Sequence, residues 1–251
     1  MPSESVSTEP VDLIRAEPLT ARCRTAFLGR VHACLGISPF NSHFSAQRIA
    51  CLVRWGLATF TDVHFFVPDT AAAHTLEALG YPPERAAWKA RRQGQYVRNK
   101  ITKALADNGV LDPGPYLLDG QALASNPAYE ELTAHVEQRF RKDTGFAQAC
   151  LSASAWVLER RLPPGRQPTQ EQLRGAVRYF LAELPLFLDT PRIAGTAASV
   201  FCYHEVPQVL ADLYHHRLSL HPAPEQGFCH LHSAVEIQRP GVHVPDTVQR
   251  R

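Results

Sequence analysis

No uncharged apolar window in this sequence approaches the roughly 18–20 residues that a membrane-spanning helix needs, so no span is expected. An anionic membrane surface is a rival partner for the basic stretch 85–103, but that stretch lacks a clean apolar face, so no membrane partner is expected either. The first residues, MPSESVSTEPVDLIRAEP, carry acids where a secretory leader needs a positive start and an apolar run, which points to a cytoplasmic protein. No C-x-x-C pair occurs among the six cysteines, and several sit in apolar runs (ACLGI, IACLV, SVFCY). That pattern excludes a disulfide framework and reads as reduced core thiols. Charged residues are only 20% of the chain and the formal net charge is +2, which excludes both an acidic disordered chain and a uniformly basic coat protein. There is no internal repeat. Twelve histidines invite a search for a metal centre. The densest cluster, Cys229-His230-Leu231-His232, lacks the second ligand pair that a tetrahedral set requires, so no metal and no cofactor is expected.

What remains is a chain of 251 residues, 45% of them hydrophobic, long enough to bury a large core as one domain. Residues 1–20 and 219–251 are rich in proline, serine and polar residues and lack periodicity, and are expected to be poorly ordered tails around a single domain over 21–218. Within it, Val31–Ile37, Val63–Val67, Pro115–Leu118 and Thr196–Tyr203 read as buried strands. Between and after them, helices are expected near 44–55, 71–79, 83–107, 128–141, 146–161, 169–188 and 207–216. Strands alternating with such helices predict an α/β fold, a Rossmann-like parallel sheet covered on both faces. Ligands in such folds sit beyond the carboxyl ends of strands. Two polar clusters fall there: Ser38 to Ser42, and Tyr203-His204-Glu205.

Three constellations carry chemistry. In Gly36-Ile37-Ser38-Pro39-Phe40-Asn41-Ser42 a serine stands on a turn after a strand, where backbone N–H groups can face an oxyanion. A hydrolase elbow needs G-x-S-x-G, and Phe40 occupies the last glycine position; the structural alternative is a Ser-Pro turn with a helix cap. In VRYFLAELPLF, Tyr179 and Glu183 are four apart and share one helical face. A carboxylate among Phe180, Leu184 and Phe187 wants a cation, either a substrate ammonium or Arg174 or Arg178. Finally, RAAWKARRQGQYVRNKITK holds Arg85, Lys89, Arg91, Arg92, Arg98, Lys100 and Lys103 and no acid, which leaves the rest of the chain net negative. Such a helix suits a phosphate backbone, with Trp88 and Tyr96 available for stacking; the alternative is a solvated face.

Together, LGISPFNSHF (35–44), RYFLAELPLF (178–187), SVFCYHEVP (199–207) and the basic helix resemble the cyclodipeptide synthase family, over about residues 25–216. The resemblance implies a fold like the catalytic domain of class I tyrosyl- and tryptophanyl-tRNA synthetases. It also implies an aminoacyltransferase that joins the aminoacyl groups of two aminoacyl-tRNAs into a cyclic dipeptide through aminoacyl-Ser38 and dipeptidyl-Ser38. The chain has no H-I-G-H or K-M-S-K-S signature, consistent with no ATP; a monomer is expected. By resemblance Ser38 is the nucleophile, Gly36 and Asn41 orient the acyl group, Tyr179 and Glu183 hold the ammonium, and Tyr203 stands beside the acyl-serine. His204, at a variable position, joins Tyr203 as a candidate proton relay. A first aminoacyl pocket is expected from Cys34, Phe65, Val67 and Phe201. A second is expected from Glu159, Arg160, Leu186, Phe187, His204 and Glu205, whose polarity favours a polar or ionisable residue in the product. Two other readings stay open: a serine hydrolase or acyltransferase on small esters, which needs no basic helix, and a non-catalytic tRNA-binding protein, which needs no Ser38.

Overall fold

The computed structural model describes residues 14–233. In chain order the elements are β1 (Ile14–Pro18), α1 (Ala21–Gly29), β2 (His32–Gly36), α2 (Ala46–Thr59), β3 (Asp62–Val67), α3 (Ala72–Ala78) and α4 (Pro83–Asp107). There follow β4 (Leu117–Asp119), α5 (Gly120–Ala124), α6 (Pro127–Lys142), α7 (Thr144–Glu159), α8 (Gln170–Ala194), β5 (Ser199–Tyr203), α9 (Gln208–Tyr214) and β6 (Gln226–Ser233). The strands form one sheet in the order β1-β6-β5-β2-β3-β4. Neighbours from β6 to β4 run parallel, and β1 closes the edge antiparallel to β6. The expected parallel α/β fold is therefore present.

The expected tails are corrected at both inner edges. Residues 14–18 and 226–233 are strands paired from Ile14↔Ser233 to Pro18↔Cys229. An edge strand needs only backbone partners, so IRAEP carries no apolar run to betray it. In β6 the run is broken by Gln226, Gly227, His230 and His232, yet Phe228, Cys229 and Leu231 are buried. The Gln226 side chain is satisfied inside the core by the Thr190 N–H at 2.7 Å. Residues 1–13 and 234–251 of the expected tails lie outside the described residues.

Side-chain alternation sorts the core into two layers. Cys34, Phe66, Phe201 and Phe228 face α6, α7, α8 and α9. Leu35, Phe65, Val67 and Cys202 face the opposite way, toward α2 and α4. Helix α8 starts with a capping box, Thr169 with Gln172. Its regular part ends where expected, near Leu188, because Asp189 is non-helical between Pro185 and Pro191. The chain then resumes as a short turn to Ala194.

Helix α4 is held against the ends of β3 and β4 by charge. The Arg98 guanidinium pairs with Asp69 and, at 3.2 Å, with Asp119. Asp69 also accepts the N–H groups of Thr70 at 2.8 Å and Gly120 at 2.9 Å. Gly94 makes this approach possible, since a Cβ there would lie 2.2 Å from the Asp69 Cβ. Arg98 is thus an internal tie, not the exposed cation expected from the sequence. Removing it strands two poorly solvated carboxylates. Arg98→Ala should lower unfolding free energy by roughly 2–4 kcal/mol, less than for a fully buried pair. Urea denaturation checks this, and a loss below about 0.5 kcal/mol would show the tie to be dispensable.

Candidate active site

The carboxyl ends of β2 and β5 open into a cavity of about 440 Å³, within the range of small-molecule sites. β2 ends at Gly36, and the chain reaches the α2 cap only at Ser45, whose Oγ accepts the Arg48 N–H. Ser38 is therefore not a helix cap. It lies on a free turn in which Phe40 takes a left-handed conformation, φ 63°. A non-glycine residue there is strained, and its side chain packs against the buried cluster of Ala72, Ala73, Leu76, Ala86 and Ala90, which holds the turn.

Ser38 Oγ is 2.9 Å from Tyr203 Oη, on the end of β5, and 3.5 Å from Tyr179 Oη, on α8. Gly36 lets this pair form: a Cβ there would meet Phe201 Cζ at 2.9 Å and Tyr203 Cδ2 at 3.1 Å. Tyr179 in turn hydrogen-bonds Glu183 one helical turn on. Burial, then the nearby Glu183 charge, pushes both phenols well above their ordinary range. Neither is a tyrosinate near neutral pH, so neither takes the serine proton as a base.

Glu183 lines the cavity with no lysine or arginine paired to it among the described residues. Arg174 and Arg178, the internal partners the sequence allowed, are exposed. Desolvation raises the Glu183 carboxyl to about 8, against the smaller opposing effect of the Tyr179 hydrogen bond. The site thus presents a hydroxyl, two phenols and a carboxyl with an unfilled demand for a cation.

Other candidates fall differently. Gly36, Asn41, Phe187, Phe201, Arg160 and Glu205 all line the cavity. His204 does not: its ring stacks on His43 at 3.9 Å, and its Nε2 accepts from Asn41 Nδ2 at 3.0 Å. Burial, then His43, lowers it to about 3, so it is a neutral support for Asn41 and not the expected relay. Phe65 and Val67 are corrected by strand parity, because they point to the far face of the sheet. Cys34 is on the near face but fully covered, and Leu186 is buried and does not line the cavity. Glu159 is exposed and outside it; Arg160 pairs instead with Glu205 at 3.4 Å and lies over Trp156. Trp156, Arg161 and Thr75 also line the cavity. Sequence reasoning missed them, although Trp156 and Arg160 stand at helical i, i+4 spacing.

On α4, Arg85, Arg91, Arg92 and Lys103 are exposed, while Lys100 donates to the Phe44 carbonyl at 3.3 Å. Lys103 pairs with Asp107 at 2.9 Å, just past the acid-free stretch. Lys89 bonds Tyr81 Oη at 3.1 Å. The Arg92 guanidinium sits 5.1 Å from the Trp88 ring and 5.6 Å from Tyr96, and both rings are about half exposed. This is an exposed, cationic and aromatic face. No helix among the described residues is long and apolar enough to cross a membrane.

A family model described as cyclodipeptide synthase matches residues 14–233. The cyclo(L-tyrosyl-L-tyrosyl) synthase of Mycobacterium tuberculosis is 35% identical over 84% of this chain and 73% of its own. The cyclo(L-leucyl-L-leucyl) synthase of Bacillus subtilis is 33% identical over 85% and 87%. Among solved structures, a cyclodipeptide synthase from Bacillus thermoamylovorans superposes with a TM-score of 0.82 at 30% identity, over 89% of this chain and 97% of that one. A Mycobacterium tuberculosis structure, TM-score 0.77 at 33% identity over 88% and 93%, is described as demonstrating that cyclodipeptide synthetases are related to type I tRNA synthetases.

The raised Glu183 carboxyl makes a stability prediction. A carboxyl raised on folding favours the native state fully below its unfolded value near 4.5 and loses that contribution as pH rises through about 8. Wild type should therefore lose stability relative to Glu183→Gln between about pH 5 and 8, by a few kcal/mol at roughly 1.4 kcal/mol per unit. Urea unfolding of both proteins across that range measures the difference. A constant gap would mean that Glu183 is ionised in the free protein.

Proposed function

The chain belongs to the cyclodipeptide synthase family, and we propose that it joins the aminoacyl groups of two aminoacyl-tRNAs into a cyclic dipeptide, with Ser38 carrying the acyl group between steps. The observation that carries this reading is the Ser38–Tyr179–Glu183 chain in one cavity, ending in a carboxyl with no cation paired to it among the described residues. An aminoacyl ester is already activated and bears an ammonium. In its complex that ammonium would sit against Glu183, which ionises to pair with it.

Ser38 Oγ attacks the ester carbonyl. The Oγ–C bond forms, the ester bond to the ribose breaks, and the serine proton ends on the departing ribose oxygen. Tyr203 at 2.9 Å holds Oγ toward the carbonyl without deprotonating it. The amine of aminoacyl-Ser38 must then lose a proton and attack the second ester, giving dipeptidyl-Ser38 and the second free tRNA. Glu183, ionised against that ammonium, is the group placed to take its proton. The free amine of the dipeptide finally attacks the Ser38 ester, closes the ring and restores the hydroxyl. His204 has no part in these steps.

The exposed Arg85, Arg91 and Arg92 on α4, with Trp88 and Tyr96, supply the surface for the tRNA backbone. A hydrolase of small esters has no use for such a face, and a non-catalytic binder has none for the Ser38 chain. Arg160 and Glu205 satisfy each other, so they set no requirement for a polar amino acid in the product.

Incubation with radiolabelled aminoacyl-tRNA tests both halves. Wild type should become covalently labelled and Ser38→Ala should not. The double variant Arg91→Glu, Arg92→Glu leaves the Arg98 tie intact. It should label more slowly and bind tRNA with a salt slope reduced by about 0.9 for each phosphate that is no longer neutralised. Equal labelling of Ser38→Ala would remove it as nucleophile, and an unchanged salt slope would remove α4 as the docking surface.

A further inference from the structure

A second polar cluster lies at the other end of the sheet. His32 opens β2, Asp62 opens β3, and His64 follows two residues later. The parallel register sets His32 beside Asp62 and Cys34 beside His64. Alternate residues on a strand share a face, so the three side chains converge. One ligating atom of each lies within 4.8 Å of the others. β2 carries the chain roughly 13 Å from His32 to Gly36 at about 3.3 Å per residue, Ser38 lies beyond that far end, and none of the three lines the cavity, so this cluster is separate from it.

Each imidazole is also held from behind. His32 Nδ1 is 2.7 Å from Ser199 Oγ, at the start of β5. His64 donates to the backbone carbonyl of Pro115. Such outer contacts orient a ring and turn its other nitrogen toward a metal, and the Ser199 hydroxyl, able to donate or accept, suits either tautomer of His32. The nitrogens so aimed, His32 Nε2 and His64 Nδ1, face each other at 2.7 Å. His32 is buried, while Asp62 is exposed and its Oδ1 also accepts the Val63 N–H at 2.9 Å.

We propose that His32 Nε2, His64 Nδ1 and the Asp62 carboxylate bind one divalent transition-metal ion of the zinc type, with solvent completing a tetrahedral set on the exposed side. Two imidazoles and one carboxylate suit zinc and its neighbours; magnesium and calcium prefer all-oxygen sets. Tetrahedral bonds of about 2.1 Å put ligand atoms about 3.4 Å apart, so the two nitrogens separate by about 0.7 Å, a small rotation of two rings. Ser199 Oγ accepts from the His32 Nδ1–H once Nε2 binds metal, so no ring need lose its net proton. The ion ties the starts of β2 and β3, and through Ser199 that of β5. Its role is structural, because the reacting groups lie at the opposite end. Sequence spacing hides this set, since thirty residues separate His32 from Asp62 and only the sheet register joins them.

Untagged, chelator-stripped full-length protein titrated with cobalt(II) chloride provides the test. One equivalent should give visible d–d absorption of a four-coordinate site, zinc(II) chloride should bleach it, and zinc should raise the melting temperature. Asp62→Asn, which alters only an exposed carboxylate, and His64→Gln should each lower cobalt affinity at least tenfold and abolish the zinc-induced thermal shift. Absence of saturable one-to-one binding, or undiminished binding in either variant, would overturn the proposal and leave His32 and His64 as a plain hydrogen-bonded pair.

Discussion

Glu183 stands at the wall of a half-buried cavity with Tyr179 as its hydrogen-bond partner and, among the described residues, no cation against it. Burying a carboxyl without a partner costs free energy, and the group responds by holding its proton. On the function proposed above, a substrate ammonium reverses the balance, since it supplies the missing charge where water is scarce. The free protein is thus less stable than it needs to be, and the deficit becomes binding and orientation. Helix α8 makes this possible. Its capping box and apolar flank anchor it whatever Glu183 contributes.

The second constraint is the parallel pairing of β2 with β5. Cys34↔Phe201 and Leu35↔Cys202 set the two strand ends level. From there Ser38 and Tyr203 meet over Gly36, where any side chain would force the rings apart. A third element, the Asp69–Arg98–Asp119 tie, holds the cationic helix to the same end of the sheet. Ser38, Glu183 and the cationic helix are therefore set at one end of the sheet, in keeping with ligand sites at the carboxyl ends of parallel strands.

Much of this is legible in the chain. Pro82-Pro83 and Asp107-Asn108-Gly109 bound α4 at the residues expected, and the Ser38, Tyr179–Glu183 and Tyr203 stretches do converge. What escapes a reading of the sequence depends on residues far apart along it. Arg98 looks like any other cation on its helix, because its partner Asp69 is 29 residues away. Phe65 and Val67 differ from Phe66 only in parity, and a strand buried on both faces hides which parity meets the cavity. His204 follows Tyr203 directly, so strand alternation sends it to the other side, against His43. β6 is hidden because its buried Gln226 and Gly227 read as polar.

The central claim is that this cavity makes a cyclic dipeptide from charged tRNA. The most direct measurement is mass spectrometry of the culture medium of bacteria expressing the chain, beside bacteria expressing Glu183→Gln and Ser38→Ala at equal soluble levels. The account predicts one or more cyclic dipeptides with wild type, and for both variants only the level of cells without the gene. Cyclic dipeptides at wild-type level from either variant, or none from wild type, would contradict it.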